Sequence, residues 1–126
     1  MEPTDATRDR RARRRRAERR GHWSEYLAAA FLVLKGYRIL ALRYKTRVGE
    51  VDLIVRKRDL VAFVEVKARR FERTAIDAVG FDTQRRIRAA GDLWLSHRRD
   101  AHKLTLRYDV VAVLPGRFPR HFPDAF

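Results

Sequence analysis

Between residues 22 and 35, apolar side chains recur at Trp23, Tyr26, Leu27, Ala30, Phe31 and Leu34. That is the i, i+3, i+4, i+7 spacing of a helix, and Gly36 supplies a stop. Ala28, Ala29, Leu32 and Val33 make this helix apolar nearly all round, so it is expected to be well buried, with Trp23 in the core. Alternation over residues 37–45 predicts a strand that ends among the basic residues Arg43, Lys45 and Arg47. Residues 51–57 and 60–67 read as the two strands of a hairpin. Residues 74–97 are mostly helical in pattern, with Ile87, Ala90 and Trp94 on one face and a potential break at Gly80. A β-branched run over 104–114 predicts a last strand. The Pro-rich end, 115–126, is expected to be irregular, with Phe118, Phe122 and Phe126 packing back onto the core. The order is α-β-β-β-α-β, an α/β arrangement, and 126 residues suffice for one modest core.

The hairpin is where polar positions interrupt the pattern. Glu50, Asp52, Glu65 and Lys67 sit in segments that otherwise favour burial, and buried charge costs several kcal/mol (~) unless paired or bound to metal. With a turn centred between Arg58 and Asp59, partner numbers add to 117, which sets Asp52 opposite Glu65 and Glu50 opposite Lys67. All four then share one face, and Val51, Leu53, Val55, Ala62, Val64 and Val66 form an apolar second face. A three-residue turn would shift the register by one and separate the acids, and the absence of Gly in the turn weakens the tight two-residue form. Directly opposed carboxylates have Cβ atoms roughly 5 Å apart and repel. Such a pair needs a compensating cation, a raised pKa, or both. Lys67 neutralises only one acid, and hard oxygen donors at this spacing suit Mg²⁺ or Mn²⁺. The plainer alternative is a surface charge ladder with no chemical role.

Charge then narrows the partner. Thirty Lys plus Arg against sixteen Asp plus Glu give a formal charge of +14. Residues 1–20 account for +5, so residues 21–126 still carry +9. A basic folded domain suits a polyanion, most often nucleic acid. With no Cys, disulfides, zinc-thiolate sites and Cys nucleophiles are excluded. No apolar run follows the N-terminal arginines, and the most apolar stretch, 26–34, is too short to span a bilayer. The expectation is a soluble cytoplasmic protein with no membrane partner. Residues 1–20, with Arg11–Arg16 at their centre, read as a basic, disordered or loosely helical arm, either solvated leader or phosphate-binding segment.

Two acids holding a divalent metal, which polarises a phosphoryl oxygen and lowers the pKa of a bound water, with a neighbouring Lys, make up a phosphodiester-hydrolysing set. An Asp followed by a strand connection and Glu-x-Lys resembles the signature of the PD-(D/E)XK nuclease-like superfamily. More closely, the chain resembles the YraN family of small bacterial proteins, predicted endonucleases related to archaeal Holliday-junction resolvases. The likeness covers residues 21–126. It rests on Gly21 with Glu25, Gly36-Tyr37, Gly49-Glu50-Val51-Asp52-Leu53-Ile54, Phe63-Val64-Glu65-Val66-Lys67-Ala68-Arg69, Tyr108-Asp109-Val110-Val111 and Ala125-Phe126.

The resemblance implies a restriction-endonuclease-like αβββαβ core, with a mixed central sheet flanked by helices. It implies Asp52 and Glu65 as ligands of Mg²⁺ or Mn²⁺ and Lys67 as the catalytic lysine. Glu25 would join them from the first helix. A carboxylate in a first turn also complements the helix dipole, so both roles stand for Glu25. Glu50 matches a family position, and Gln84 falls where some relatives carry Gln near the start of the second helix. Two departures bear on substrate contacts: Thr83 stands where the family usually has Lys, and a common Gly is missing around Phe71-Glu72-Arg73. Arg85, Arg86 and Arg88 are candidate phosphate contacts or a solvated helix face. His22, His97, His102 and His121 share no metal-ligand spacing, and Trp23 and Trp94 read as core rather than stacking platforms. The function expected is a Mg²⁺-dependent endonuclease acting on DNA, with branched or structured DNA as a candidate substrate. The alternatives are a nucleic-acid-binding module of the same fold without turnover, and an interaction adaptor whose charge serves solubility.

Overall fold

The computed structural model describes residues 5–71, 75 and 79–126. Helix α1 (Asp5–Leu34) is followed by strands β1 (Arg38–Lys45), β2 (Glu50–Lys57) and β3 (Leu60–Ala68). Helix α2 (Phe81–Ser96), a 3₁₀ turn at Ala101–Lys103, β4 (Thr105–Val113) and a short β5 (Arg120–Phe122) complete the chain. The expected α-β-β-β-α-β order is observed, and β5 is an addition that the sequence pattern did not indicate. Its three residues are too few to show alternation, and it pairs antiparallel with β4 inside the segment expected to be irregular. Helical backbone continues back from residue 22 to Asp5, through most of the basic arm. The glycine-poor segment at Glu72–Arg73 and the expected helix start at Thr74 lie outside the described residues.

The five strands run in the order β1-β2-β3-β4-β5. All neighbours are antiparallel except β3 and β4, which run parallel from Leu60↔Thr105 to Ala68↔Val113. A parallel step needs a crossover connection, here the segment carrying α2. This is the α/β fold with a mixed sheet flanked by helices that a restriction-endonuclease-like core requires.

Both faces of the sheet are covered. On one side Ala28, Ala29 and Leu32 of α1 pack on Leu53, Val55, Ala62, Val64 and Val111. On the other, Ile87 of α2 joins Val51, Ile54, Val61 and Phe63, with Trp94 edge-on to Phe63 at 5.8 Å. A strand buried on both faces reads as a continuous apolar run, as Val61-Ala62-Phe63-Val64 does. The division into one apolar and one charged face is therefore corrected: it holds at neither Ile54 nor Phe63. Helix α1 is corrected too. Its buried side is the narrow line of Ala28, Ala29 and Leu32, whereas Trp23 is 64% exposed and Leu34 85%. Small side chains let the helix lie close to the sheet, and the bulkier stripe faces out. The helix ends as its sequence indicates: Gly36 adopts φ 96°, with amides of Gly36 and Tyr37 donating to the carbonyls of Val33 and Leu32. Of the three C-terminal phenylalanines, Phe122 and Phe126 do pack inward, but Phe118 is 86% exposed.

Behind the sheet's centre lies a buried ionic cluster. Asp109, fully buried, accepts two hydrogen bonds from Arg107 (2.8 Å each), one from His121 Nε2 (2.7 Å) and one from the Asp124 amide (3.0 Å). Lys35 donates to His121 Nδ1, and Arg107 also donates to the Tyr37 hydroxyl, so β4, β5 and the α1–β1 turn are tied together. Burial alone would raise the Asp109 carboxyl, but the His121 and Arg107 hydrogen bonds outweigh it and hold it at about 2. Its contribution to stability is complete above the ordinary carboxylate range near pH ~4 and is lost as pH falls towards about 2.

Gly49 leads into β2 where that strand passes closest to α2. A Cβ at this position would lie 1.9 Å from the Arg86 carbonyl oxygen, a backbone atom that moves only if the helix moves. Gly49→Ala is expected to lower stability by about 1–3 kcal/mol, the usual range for overpacking. An unchanged urea midpoint would show that α2 does not rest on this contact.

Candidate active site

The hairpin turn has two residues, Arg58 and Asp59, between the pair Lys57↔Leu60. Arg58 takes φ 56° without being glycine, and its carbonyl accepts from Arg56 Nε at 2.7 Å. Arg56 also donates to Asp59 (3.2 Å) and Asp100 (2.8 Å), so one guanidinium holds the turn that no glycine eases. Partner numbers add to 117 from Lys57↔Leu60 to Leu53↔Val64, the even-loop register. The ladder then stops one step short of Asp52 and Glu65, so these two acids are not a directly opposed pair and Glu50 is not paired with Lys67. Instead, the Asp52 carboxylate accepts the Val66 amide at 2.8 Å, taking a backbone donor on β3. Glu50 pairs with Lys45 of β1.

Alternation also breaks here. Val51 packs with Ile54 and Phe63 under α2, while Leu53 packs under α1, so β2 rolls at Asp52. Facing it on β1, between Leu42↔Leu53 and Tyr44↔Val51, Arg43 has φ 50°. A non-glycine residue in that region is strained by roughly 1–3 kcal/mol and persists only where its surroundings hold it. Arg43 is held by α1: Nη1 lies 2.7 Å from Glu25 Oε2, and Nη2 3.5 Å from the Tyr26 hydroxyl. Sequence reasoning missed Arg43; its only sign was a basic residue near a strand end.

The structure gathers Glu25, Glu50, Asp52, Glu65 and Lys67. A small cavity of about 160 Å³ is lined by His22, Glu25, Arg43, Lys45, Glu50, Val51 and Asp52. Burial and the charge of Glu65 push the Asp52 carboxyl up to about 7, against the stabilising Val66 amide; Glu25 adds to the rise and Lys67 opposes it. Burial likewise raises Glu65, opposed by Lys67 at 3.2 Å and reinforced by Glu50 and Glu25. Among the described residues, no three His, Cys, Asp or Glu side chains converge as a ready metal cluster. Glu25 and Glu65 are held by protein cations instead. The donor set nonetheless suits a hard divalent ion: oxygen ligands only, and two acids whose ionised forms burial and neighbouring carboxylates disfavour.

The candidate residues of α2 stand apart from this cluster in their contacts. Gln84 donates to the Val79 carbonyl at 3.0 Å. Arg85 pairs with Asp82 on the exposed surface, and Arg86 gives its carbonyl to the close approach of Gly49. Arg88 lies over the rings of Tyr108 (5.2 Å) and Phe126 (5.5 Å), a packing position.

A family model, described as uncharacterised protein family UPF0102, matches residues 24–113, a span that contains Glu25, the whole hairpin and α2. The chain belongs to the UPF0102 family. A UPF0102 protein of Agrobacterium fabrum is 67% identical over 114 residues, covering 90% of this chain and 93% of that one. A UPF0102 protein of Rhizobium leguminosarum bv. trifolii is 64% identical over 121 residues, covering 96% and 99%. The UPF0102 match therefore extends over nearly the full length of these relatives.

In the UPF0102 chain the raised Asp52 carboxyl has a measurable consequence. The folded protein retains a proton there up to about pH 7, whereas the unfolded chain releases it near pH ~4. Stability from this group is thus complete below pH ~4 and declines as pH rises through about 7. Asp52→Asn keeps an oxygen for the Val66 amide and removes the ionisation. Without divalent metal, its urea midpoint relative to wild type should rise between pH 5 and pH 8, by on the order of 1–3 kcal/mol. A difference that stays constant over that range would mean Asp52 ionises freely.

Proposed function

We propose that the protein is a metal-dependent nuclease hydrolysing phosphodiester bonds in DNA, with branched or otherwise structured DNA as the candidate substrate. The observation that carries this reading is the pair of carboxyls Asp52 and Glu65, both raised by burial and by neighbouring carboxylates, beside Lys67 at the end of a buried hairpin. A carboxyl raised to about 7 and opening on a small cavity, as Asp52 does, is what a reacting site requires and a packing site avoids. The net charge of +14 supports a polyanionic substrate.

In this reading Asp52 and Glu65 hold Mg²⁺ or Mn²⁺, and Glu25 and Glu50 supply further negative charge around it. The ion, when bound, supplies Lewis-acid polarisation of the scissile phosphate. The Lys67 ammonium stabilises the extra negative charge of the phosphorane and orients the attacking water. Asp52 is tethered through the Val66 amide, which limits its movement when charge changes around it. Arg43 holds the Glu25 carboxylate and keeps α1 against the site.

One observation favours a second reading, a DNA-binding protein of this fold without turnover: Glu25 and Glu65 already have protein cations as partners. Calorimetry separates the two. The nuclease reading requires Mn²⁺ binding that is lost in Asp52→Ala, and DNA affinity without Mn²⁺ binding supports the other.

The direct test is cleavage of linear, nicked, flapped and branched DNA with Mg²⁺ or Mn²⁺. Asp52→Ala, Glu65→Ala and Lys67→Ala should each lower the rate by about 10²-fold or more, as removal of a transition-state partner does. Wild-type rates in Glu65→Ala, or no cleavage of any form by folded, metal-loaded protein, would refute the assignment.

A further inference from the structure

A second concavity lies beside the site, between α1, the ends of β3 and β4 and the β4–β5 loop, with a volume of about 930 Å³. Its apolar walls include Trp23, Leu27 and Phe118, and Trp23 and Phe118 are 64% and 86% exposed. Two aromatic rings standing this far into solvent in a basic protein call for a ligand with flat apolar faces. Among the described residues, the groove's charged lining side chains are Arg69, Arg70 and Arg117, with no carboxylate beside them. Aromatic faces beside arginines are the means by which unpaired nucleic-acid strands are held: bases stack, and guanidinium groups follow the phosphates.

Position chooses between a strand and an acidic apolar peptide, whose charge would fit equally well. Ser24 of the groove directly precedes Glu25, and Ala68 directly follows Lys67. Consecutive Cα atoms lie about 3.8 Å apart, so the backbone of the groove adjoins that of the proposed site at two points, on α1 and at the end of β3. We propose that this groove binds an unpaired segment of the DNA substrate, stacking bases on Trp23 and Phe118 and leading the strand to the Asp52–Glu65–Lys67 site. The proposal takes from the nuclease reading only the identity of the polyanion and the fate of the strand.

The test is fluorescence anisotropy of a labelled oligothymidylate of about a dozen nucleotides, within the site sizes of single-strand binders. It uses the full chain, with chelator present so that cleavage plays no part, and a duplex of equal length as reference. Trp23→Ala and Phe118→Ala should each weaken single-strand binding by about fivefold or more, the lower end for loss of one stacked base. Both should leave duplex affinity unchanged. Arg117→Ala should reduce the slope of log affinity against log salt by about 0.7. Both aromatic residues are exposed, so their truncation leaves the core intact, which a thermal melt verifies. Equal losses on single strand and duplex, or no loss on either, would overturn the proposal. So would capture of an acidic, Phe-bearing peptide by a protein that does not bind the oligonucleotide. If this binding pattern holds but no substrate is cut, the groove stands and the nuclease reading fails. If branched DNA is cut and Trp23→Ala binds oligothymidylate as wild type does, the groove alone fails.

Discussion

From Lys57↔Leu60 to Leu53↔Val64 the β2–β3 ladder is an ordinary antiparallel pair buried on both sides, and one residue farther it must accommodate two carboxylates. Continuing the ladder would set Asp52 against Glu65 at a separation where both cannot ionise without a cation. The chain ends the ladder instead and lets the Asp52 carboxylate take the Val66 amide. That exchange needs β2 to roll, and the roll has structural supports on three sides. Gly49 permits contact with the α2 backbone, Arg43 adopts a left-handed backbone opposite, and α1 brings Glu25 to hold the Arg43 guanidinium. Each is a local cost that makes sense only if the position of Asp52 is worth holding.

Two aspartates of this fold, Asp109 fully buried and Asp52 half-buried, differ in how their charge is met. Asp109 has Arg107, His121 and a backbone amide around it, and its carboxyl lies at about 2. Asp52 has one backbone amide and several carboxylates near it, and its carboxyl lies at about 7. Burial disfavours ionisation at both. What differs is the supply of donors, complete at Asp109 and deficient at Asp52. A cluster with its hydrogen bonds satisfied ties β4, β5 and the α1–β1 turn together. A cluster short of positive charge has capacity for a cation from outside.

The sequence carried more of the fold than of the site. Periodicity found the six principal elements, placing the four long strands to within one residue but the two helix starts several residues off, and counting from the turn found the register that aligns β2 with β3. Local pattern could not show where the ladder ends, because that depends on a side chain, Asp52, replacing a backbone partner across the hairpin. The supposed charged face failed for a related reason: two helices cover the sheet, and alternation reveals only one-sided burial. In α1 the larger residues suggested the core stripe, yet Ala28, Ala29 and Leu32 form the contact because small side chains permit a closer approach. Arg43 was illegible altogether, since its value lies in a partner 18 residues away on another element. The charges on Glu50, Asp52, Glu65 and Lys67, by contrast, were visible as a misfit to burial before any contact was known.

The exposed tryptophan on α1 and the half-buried glutamate two positions later are consequences of one helix orientation. Successive residues on a helix turn by about 100°, so Trp23 and Glu25 point roughly 200° apart. Rotating α1 to bury Trp23 would turn Glu25 away from Arg43 and from the Asp52–Glu65 cluster. It would also replace Ala28 and Leu32, both fully buried, with bulkier groups against a sheet packed to contact. The helix thus cannot satisfy the hydrophobic stripe and the site together, and it is the stripe that stays in solvent. An aromatic side chain left out for that reason is costly unless something covers it during function. Trp23 stands in the arginine-lined groove that begins at Ala68, directly after Lys67, so the orientation that turns Glu25 to the carboxylate cluster leaves an apolar ring in that groove on the helix's other side.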